Sequence, residues 1–193
     1  MLRIIQIIIV VVGGLGLGGA ASWYSIQENH GFGALNAGAW IAWPLAGDTQ
    51  ADPYTKAKVA AEGEIPLGAA EGITFYARTD DAGRPLRADC RYRLRGSPPR
   101  SRYWTLTAVD LQGRPLQFDD TVVNRLTSND VFRVAGQDLV IGVAPQLTAG
   151  NWLKTVGSAP FHLVLNLYDT PITGAQGIVD PQMPAIALLE CPA

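Results

Sequence analysis

Seven arginines, Arg84, Arg87, Arg91, Arg93, Arg95, Arg100 and Arg102, crowd into a stretch that holds one acid, Asp89. Residues 91–95 read Arg-Tyr-Arg-Leu-Arg, and in extended chain alternate side chains share a face. Arg91, Arg93 and Arg95 must therefore stand side by side, with Tyr92 and Leu94 pointing the other way. A guanidinium is a planar fork of N–H donors that matches carboxylate and phosphate oxygens. The stripe is suited to the anionic groups of envelope polymers or lipid heads. An exposed strand face kept soluble by arginine and paired with surplus acids has the same pattern.

The other reactive side chains are sparse. The two histidines, His30 and His162, lie in no HExxH segment and beside no serine or cysteine motif, so a hydrolase triad has no support. His162 shares a strand face with Asn166 and Tyr168, which suits either a ligand groove or a half-exposed sheet surface. Asn151-Trp152 offers an amide and an aromatic face to a sugar or peptide, or else a turn former and a core plug. Asp119-Asp120 is a carboxylate pair whose members point apart in extended chain, and no partner at glycosidase separation is visible. Ser128-Asn129-Asp130 lacks an S-x-x-K partner for β-lactamase chemistry. Cys90 and Cys191 are expected to pair outside the cytoplasm, closing a loop of about 100 residues worth up to roughly 4–5 kcal/mol in the chain-entropy model. Two buried free thiols are the alternative. No metal site is expected, because these cysteines and histidines lack zinc spacing, and no cofactor is implied.

The elements that must position these groups can be read from periodicity. Asp52-Pro53 offers an N-cap and a first-turn proline ahead of an Ala- and Lys-containing run, predicting a helix over residues 53–62 that stops at Gly63. Beyond it the period becomes two. Ile73, Phe75 and Ala77 alternate with Thr74, Tyr76 and Arg78, and comparable alternation covers 90–95, 104–109 and 161–168. Residues 38–44 and 139–144 read as shorter apolar strands, the latter buried on both faces. Short strands with turns between them, and no repeated intervening helix, predict a mainly β fold of two packed antiparallel sheets. No internal repeat of fixed period is expected.

Ile4 to Ala21 contains one polar side chain, Gln6, and its roughly 27 Å of helix approaches the roughly 30 Å hydrocarbon layer. Arg3 precedes it and no other Lys or Arg occurs before Lys56, so the positive-inside rule places the N-terminus in the cytoplasm. Trp23 and Tyr24 stand where an interfacial aromatic pair belongs. A cleaved signal peptide ending near Gly19-Ala20-Ala21 is the competing reading, and either one exports the rest. Gly14-Leu15-Gly16-Leu17-Gly18-Gly19 satisfies G-x-G-x-x-G but has no crossover helix after it and no acid near 20 residues on, so dinucleotide binding is set aside. Gly14 and Gly18 have the spacing that lets membrane helices approach, which allows a homo-oligomer. The 15 basic and 17 acidic side chains leave a formal charge of −2, with no global attraction to nucleic acid. The expected layout is an anchor or signal segment at 1–24, a linker at 25–38 and a β-sandwich domain at 39–193.

Asp52-Pro53-Tyr54-Thr55, Ile65-Pro66-Leu67-Gly68-Ala69-Ala70-Glu71-Gly72, Tyr103-Trp104-Thr105-Leu106-Thr107 with Asp110, Gly150-Asn151-Trp152-Leu153, and Phe161 through Tyr168 together resemble the bacterial family called domain of unknown function 1214. The resemblance runs from about Trp40 to the C-terminus and implies a β-sandwich of jelly-roll type, here in a short form with a membrane segment. The family brings no catalytic residues. Asn124-Arg125 and Ser128 lie where related chains carry a similar segment, while Val109 and Leu111 around Asp110 depart from a commoner Tyr-Asp-Pro. The expectation is a non-enzymatic module anchored in the bacterial inner membrane with its domain in the periplasm, binding an envelope polymer, other ligand or protein partner. The alternatives are an enzyme on a small molecule or glycan, with its site assembled from distant residues, and a structural subunit of a larger assembly.

Overall fold

The structure is a computed structural model that describes residues 2–27, 33–62, 66–68, 70–116, 125–173 and 181–192. It opens with α1 (Leu2–Gln27), of which Leu2–Tyr24 has a mean hydropathy of 2.3, long and apolar enough to cross a membrane. The short helix α2 (Pro53–Glu62) starts where its cap predicts. Asp52 Oδ1 accepts from the N–H groups of Tyr54 and Thr55 at 2.9 and 3.1 Å, satisfying donors that a helix N-terminus otherwise leaves open. The hydrogen bond from the Thr55 hydroxyl is the main reason its carboxyl sits below the usual range.

The strands are β1 (Leu35–Ala37), β2 (Trp40–Ala42), β3 (Gly72–Ala77), β4 (Arg91–Arg95), β5 (Tyr103–Val109), β6 (Arg125–Thr127), β7 (Val140–Ala144), β8 (Asn151–Lys154), β9 (His162–Tyr168) and β10 (Ala185–Glu190), with a 3-10 turn at Pro171–Thr173. They build a six-stranded sheet in the order β1-β2-β3-β9-β5-β6 and a four-stranded sheet in the order β10-β4-β7-β8. The mainly β, two-sheet reading thus holds, with one departure: β7 and β8 pair parallel. β1 falls in the stretch expected as linker, because Gly38, at φ 63°, turns the chain back and lets Leu35 face Ala42. Periodicity does not reveal β6, β8 or β10. The first two are only three and four residues long, and Ala-Ile-Ala-Leu-Leu has no polar alternation to betray the third.

The core lies between the sheets. Trp40, Phe75, Trp104, Leu106, Leu163, Leu165 and Leu167 come from one, and Tyr92, Leu94, Ile141, Val143, Leu153 and Ile186 from the other, all nearly inaccessible. Fully burying a side chain of this size contributes roughly 1.5–3 kcal/mol. β10 is fastened by the Trp40 indole N–H, which donates to the Pro184 carbonyl at 2.8 Å. It is also held by a disulfide between Cys90 and Cys191, Cα atoms 4.3 Å apart.

One turn sequence occurs twice, a relation that a search for fixed periods does not detect. Asp80-Asp81-Ala82-Gly83-Arg84-Pro85-Leu86 follows β3, and Asp110-Leu111-Gln112-Gly113-Arg114-Pro115-Leu116 follows β5. In each, one aspartate oxygen accepts two backbone N–H groups, from Ala82 and Arg84 or from Gln112 and Arg114, at 2.9–3.0 Å. The other oxygen takes the arginine fork at 2.7–2.8 Å. The glycines adopt φ of 79° and 77°, a left-handed conformation that favours this residue. Only the first copy has a carboxylate at its second position. Asp81 exchanges hydrogen bonds with Ile186, its N–H donating to the carbonyl at 3.0 Å and its Oδ2 accepting the N–H at 2.8 Å, and so clips the free edge of β10. Leu111 occupies that position in the second copy and is exposed.

Burial pushes the Asp80 carboxyl up, but the hydrogen bonds and charge of Arg84 outweigh it and hold the group below 3.8. A carboxylate depressed in the folded state contributes stability that is present above its unfolded pKa and disappears as the pH falls through the folded value. Asp80→Asn is expected to cost about 2 kcal/mol at neutral pH and to flatten the loss of stability below about pH 4. Urea melts at several pH values measure both, and equal acid sensitivity in variant and wild type would contradict the account. Mass spectrometry of unreduced protein should find no alkylatable thiol, and Cys191→Ser should lower stability by about 2–4 kcal/mol.

Candidate functional site

The pleat of β4 buries Tyr92 and Leu94 and turns Arg91, Arg93 and Arg95 outward. Cross-strand register carries this face over the whole four-stranded sheet, since directly opposed residues point the same way. Arg95 stands between Ala185 and Val140, and Arg93 between Ala187 and Gly142, with Trp152 one strand further. Lys154 joins them, alternating with Trp152 about the buried Leu153. Small neighbours leave the guanidiniums standing clear of the sheet. The flanking arginines have acids near them: Arg91 lies 3.7 Å from Glu190, and Arg95 Nε donates to Asp138 at 3.0 Å, with all four side chains substantially exposed. Arg93, between them, has no ion-pair partner among the described residues.

The parallel step from β7 to β8 builds the rest of this face. Parallel neighbours normally need a crossover of a dozen or more residues, but here residues 145–150 double back in six. The loop lies flat on the sheet because Gly142 has no side chain. A Cβ there would meet Thr148 Oγ1 at 2.3 Å and its Cβ at 3.0 Å. The Trp152 indole N–H donates to the Ala144 carbonyl at 3.0 Å, pinning the ring beside the loop. Where the loop meets the ends of β4 and β10, a half-open cleft of about 220 Å³ forms, lined by Asp89, Arg91, Gln146 and Glu190 with Ala144, Pro145 and Pro192. Arg87 donates to Asp89 at 2.6 Å and holds that carboxyl below its ordinary range. The disulfide lies next to this cleft in sequence on both walls, Cys90 between Asp89 and Arg91 and Cys191 between Glu190 and Pro192.

The other residues expected at a binding site lie elsewhere or are occupied. His162 and Asn166 lie on the outer face of the six-stranded sheet, on the opposite side of the sandwich from the arginine stripe. There the Thr74 hydroxyl donates to Asn166 Oδ1 at 2.8 Å and Asn166 Nδ2 donates to Thr105 Oγ1 at 3.2 Å. Arg125 stands on β6 opposite Thr107 at the rim of that face. Tyr103 and Tyr168 form a ring pair there with centroids 5.9 Å apart. The Asn151 amide serves the chain itself: Oδ1 accepts from the Phe132 N–H at 2.7 Å, and Nδ2 donates to the carbonyls of Phe132 and Val140, both at 2.9 Å. Asn124, Asp119 and Asp120 lie outside the described residues, as does His30. Sequence reasoning missed Gly142, Thr148, Lys154 and Glu190. A glycine inside an apolar run was the available signal for a close approach.

The family model described as "Protein of unknown function (DUF1214)" matches residues 71–172, more than half of the chain. The chain belongs to the DUF1214 family. Its matched stretch takes in β3 through β9, so both sheets and the arginine stripe fall within it. No protein of curated function matches the chain. Among solved structures, the DUF1214 chain is similar to the VPA0106 protein from Vibrio parahaemolyticus, with a TM-score of 0.57 at 18% identity, over 73% of this chain and 36% of that one. A second, an uncharacterised protein from Burkholderia cenocepacia, aligns over 96% of this chain and 52% of the other at 16% identity, with a TM-score of 0.45. The first likeness supports the fold; the DUF1214 chain spans about a third of that neighbour's length and about half of the second's.

The tight crossover predicts an energetic coupling. Gly142→Ala should destabilise the domain by about 1–3 kcal/mol through overpacking. Thr148→Ala should cost little alone, because its buried hydroxyl has no hydrogen-bond partner, and should recover part of the loss in the double variant. Additive effects in thermal melts of the four proteins would refute the contact.

Proposed function

We propose that this protein is a membrane-tethered extracytoplasmic module, on a sandwich of jelly-roll type, that binds ligands or partners bearing carboxylate or phosphate groups on the outer face of its four-stranded sheet. The observation that carries the reading is Arg93, an exposed guanidinium without an ion-pair partner among the described residues, centred in a row whose two other arginines are only loosely held by exposed acids. An exposed ion pair is worth about 0–1 kcal/mol, so an incoming anion can take over all three forks at little cost. A charge-assisted hydrogen bond gained in exchange contributes about 1.5–3 kcal/mol. Placement outside the cytoplasm is supported by the apolar α1 with Arg3 on its leading side and by a disulfide, which persists in oxidising compartments. The described cleft adjoins this row and lies across the sandwich from His162 and Asn166, so it supports binding at the arginine face rather than an enzyme centred on β9.

With the full chain held in uncharged phosphatidylcholine nanodiscs, polyphosphate and polygalacturonate serve as phosphate and carboxylate probes. Arg93→Glu is expected to weaken binding of at least one by tenfold or more, and added salt should weaken it in wild type. Affinity indifferent to Arg93→Glu, in a variant that melts like wild type, would overturn the reading.

A further inference from the structure

The arginine face carries more than charge. On its strand positions Arg91, Arg93, Arg95 and Lys154 stand against one acid, Glu190. Around them apolar side chains are left in water: Leu189 is 45% exposed, Val140 43%, Leu147 77% and Phe132 72%. Phe132 is fixed beside Val140 because the Asn151 amide grips both of their carbonyls. Leu147 rides on the crossover loop whose next residue, Thr148, lies on Gly142. A basic centre with exposed leucine and phenylalanine at its border matches a lipid interface, where anionic headgroups take cations and the acyl boundary takes apolar side chains. Large exposed apolar patches on soluble domains mark interaction surfaces.

The chain also restricts where this face can go. Eleven residue steps separate Tyr24, the end of the membrane-capable stretch, from Leu35, the first residue of β1. Fully extended they span no more than about 40 Å. A tether of that length holds the domain at an effective concentration in the millimolar range relative to the surface it hangs from, so even weak headgroup contacts become populated. Resting on the anion-binding reading above, we infer that the arginine face of the four-stranded sheet docks on the anionic headgroups of the membrane that α1 enters, with Leu147 and Phe132 at the acyl boundary.

The test uses the full chain with p-benzoylphenylalanine in place of Leu147, an exposed position, in nanodiscs of phosphatidylcholine alone or with about one third phosphatidylglycerol. Photolysis followed by mass spectrometry counts lipid adducts. Adducts should form in the anionic discs and fall severalfold in neutral discs, in high salt and in Arg93→Glu with Arg95→Glu. Each cation at an anionic surface accounts for about a fivefold change in binding, so the double reversal should weaken docking by about 25-fold or more. Absence of adducts in anionic discs, or a yield independent of lipid charge, overturns the docking. If polyphosphate or polygalacturonate still binds in an Arg93-dependent way, the face is a receptor for a soluble or polymeric anion, and only the lipid assignment falls. If neither probe nor lipid binds, both readings fall together.

Discussion

The pleat of β4 is the constraint on which both the core and the surface depend. Because neighbouring side chains must point to opposite faces, Tyr92 and Leu94 cannot enter the space between the sheets without sending Arg91, Arg93 and Arg95 to the outside. A slip of one residue would bury three charges and expose the core. The same register, passed to β10 on one side and β7 on the other, decides which small residues border each guanidinium. The binding surface is thus the other side of the packing problem.

That surface is kept open by two backbone economies. Gly142 lets the β7–β8 loop lie against the sheet where any side chain would lift it, and Ala185 and Ala187 keep the β10 side low. The edge strand itself is closed off. Asp81 occupies the backbone groups of Ile186 that an approaching strand would need, a protection against edge-to-edge association. The two Asp-x-x-Gly-Arg-Pro-Leu turns show how local chemistry and tertiary use separate: identical internal bonds form whether the aspartate is almost inaccessible, as at Asp80, or partly open, as at Asp110.

The legible part of this fold was the part with strong local periodicity. β3, β4, β5 and β9 each carry the alternation that two-faced sheets impose, and Asp52-Pro53 marks the start of α2 in its own chemistry. The parallel pairing of β7 with β8 was hidden because its cause, the fit of Thr148 over a missing Cβ at Gly142, is a contact between residues whose relation is tertiary. The arginine face could be seen as a stripe along one strand, but its breadth could not, since Trp152, Lys154 and Ala187 join it only through register. His162 and Asn166 looked like companions of the same surface in sequence, and the sandwich puts them on its opposite side.

The central position of β9 governs how the chain gets there. Its two hydrogen-bonded neighbours, β3 and β5, lie far upstream, and nothing local substitutes for it. Until that segment inserts, both wait with open edges and apolar faces, so collapse must precede correct pairing. Distant contacts of this kind slow the search to milliseconds or longer, and the interval is when two copies are most prone to pair with one another.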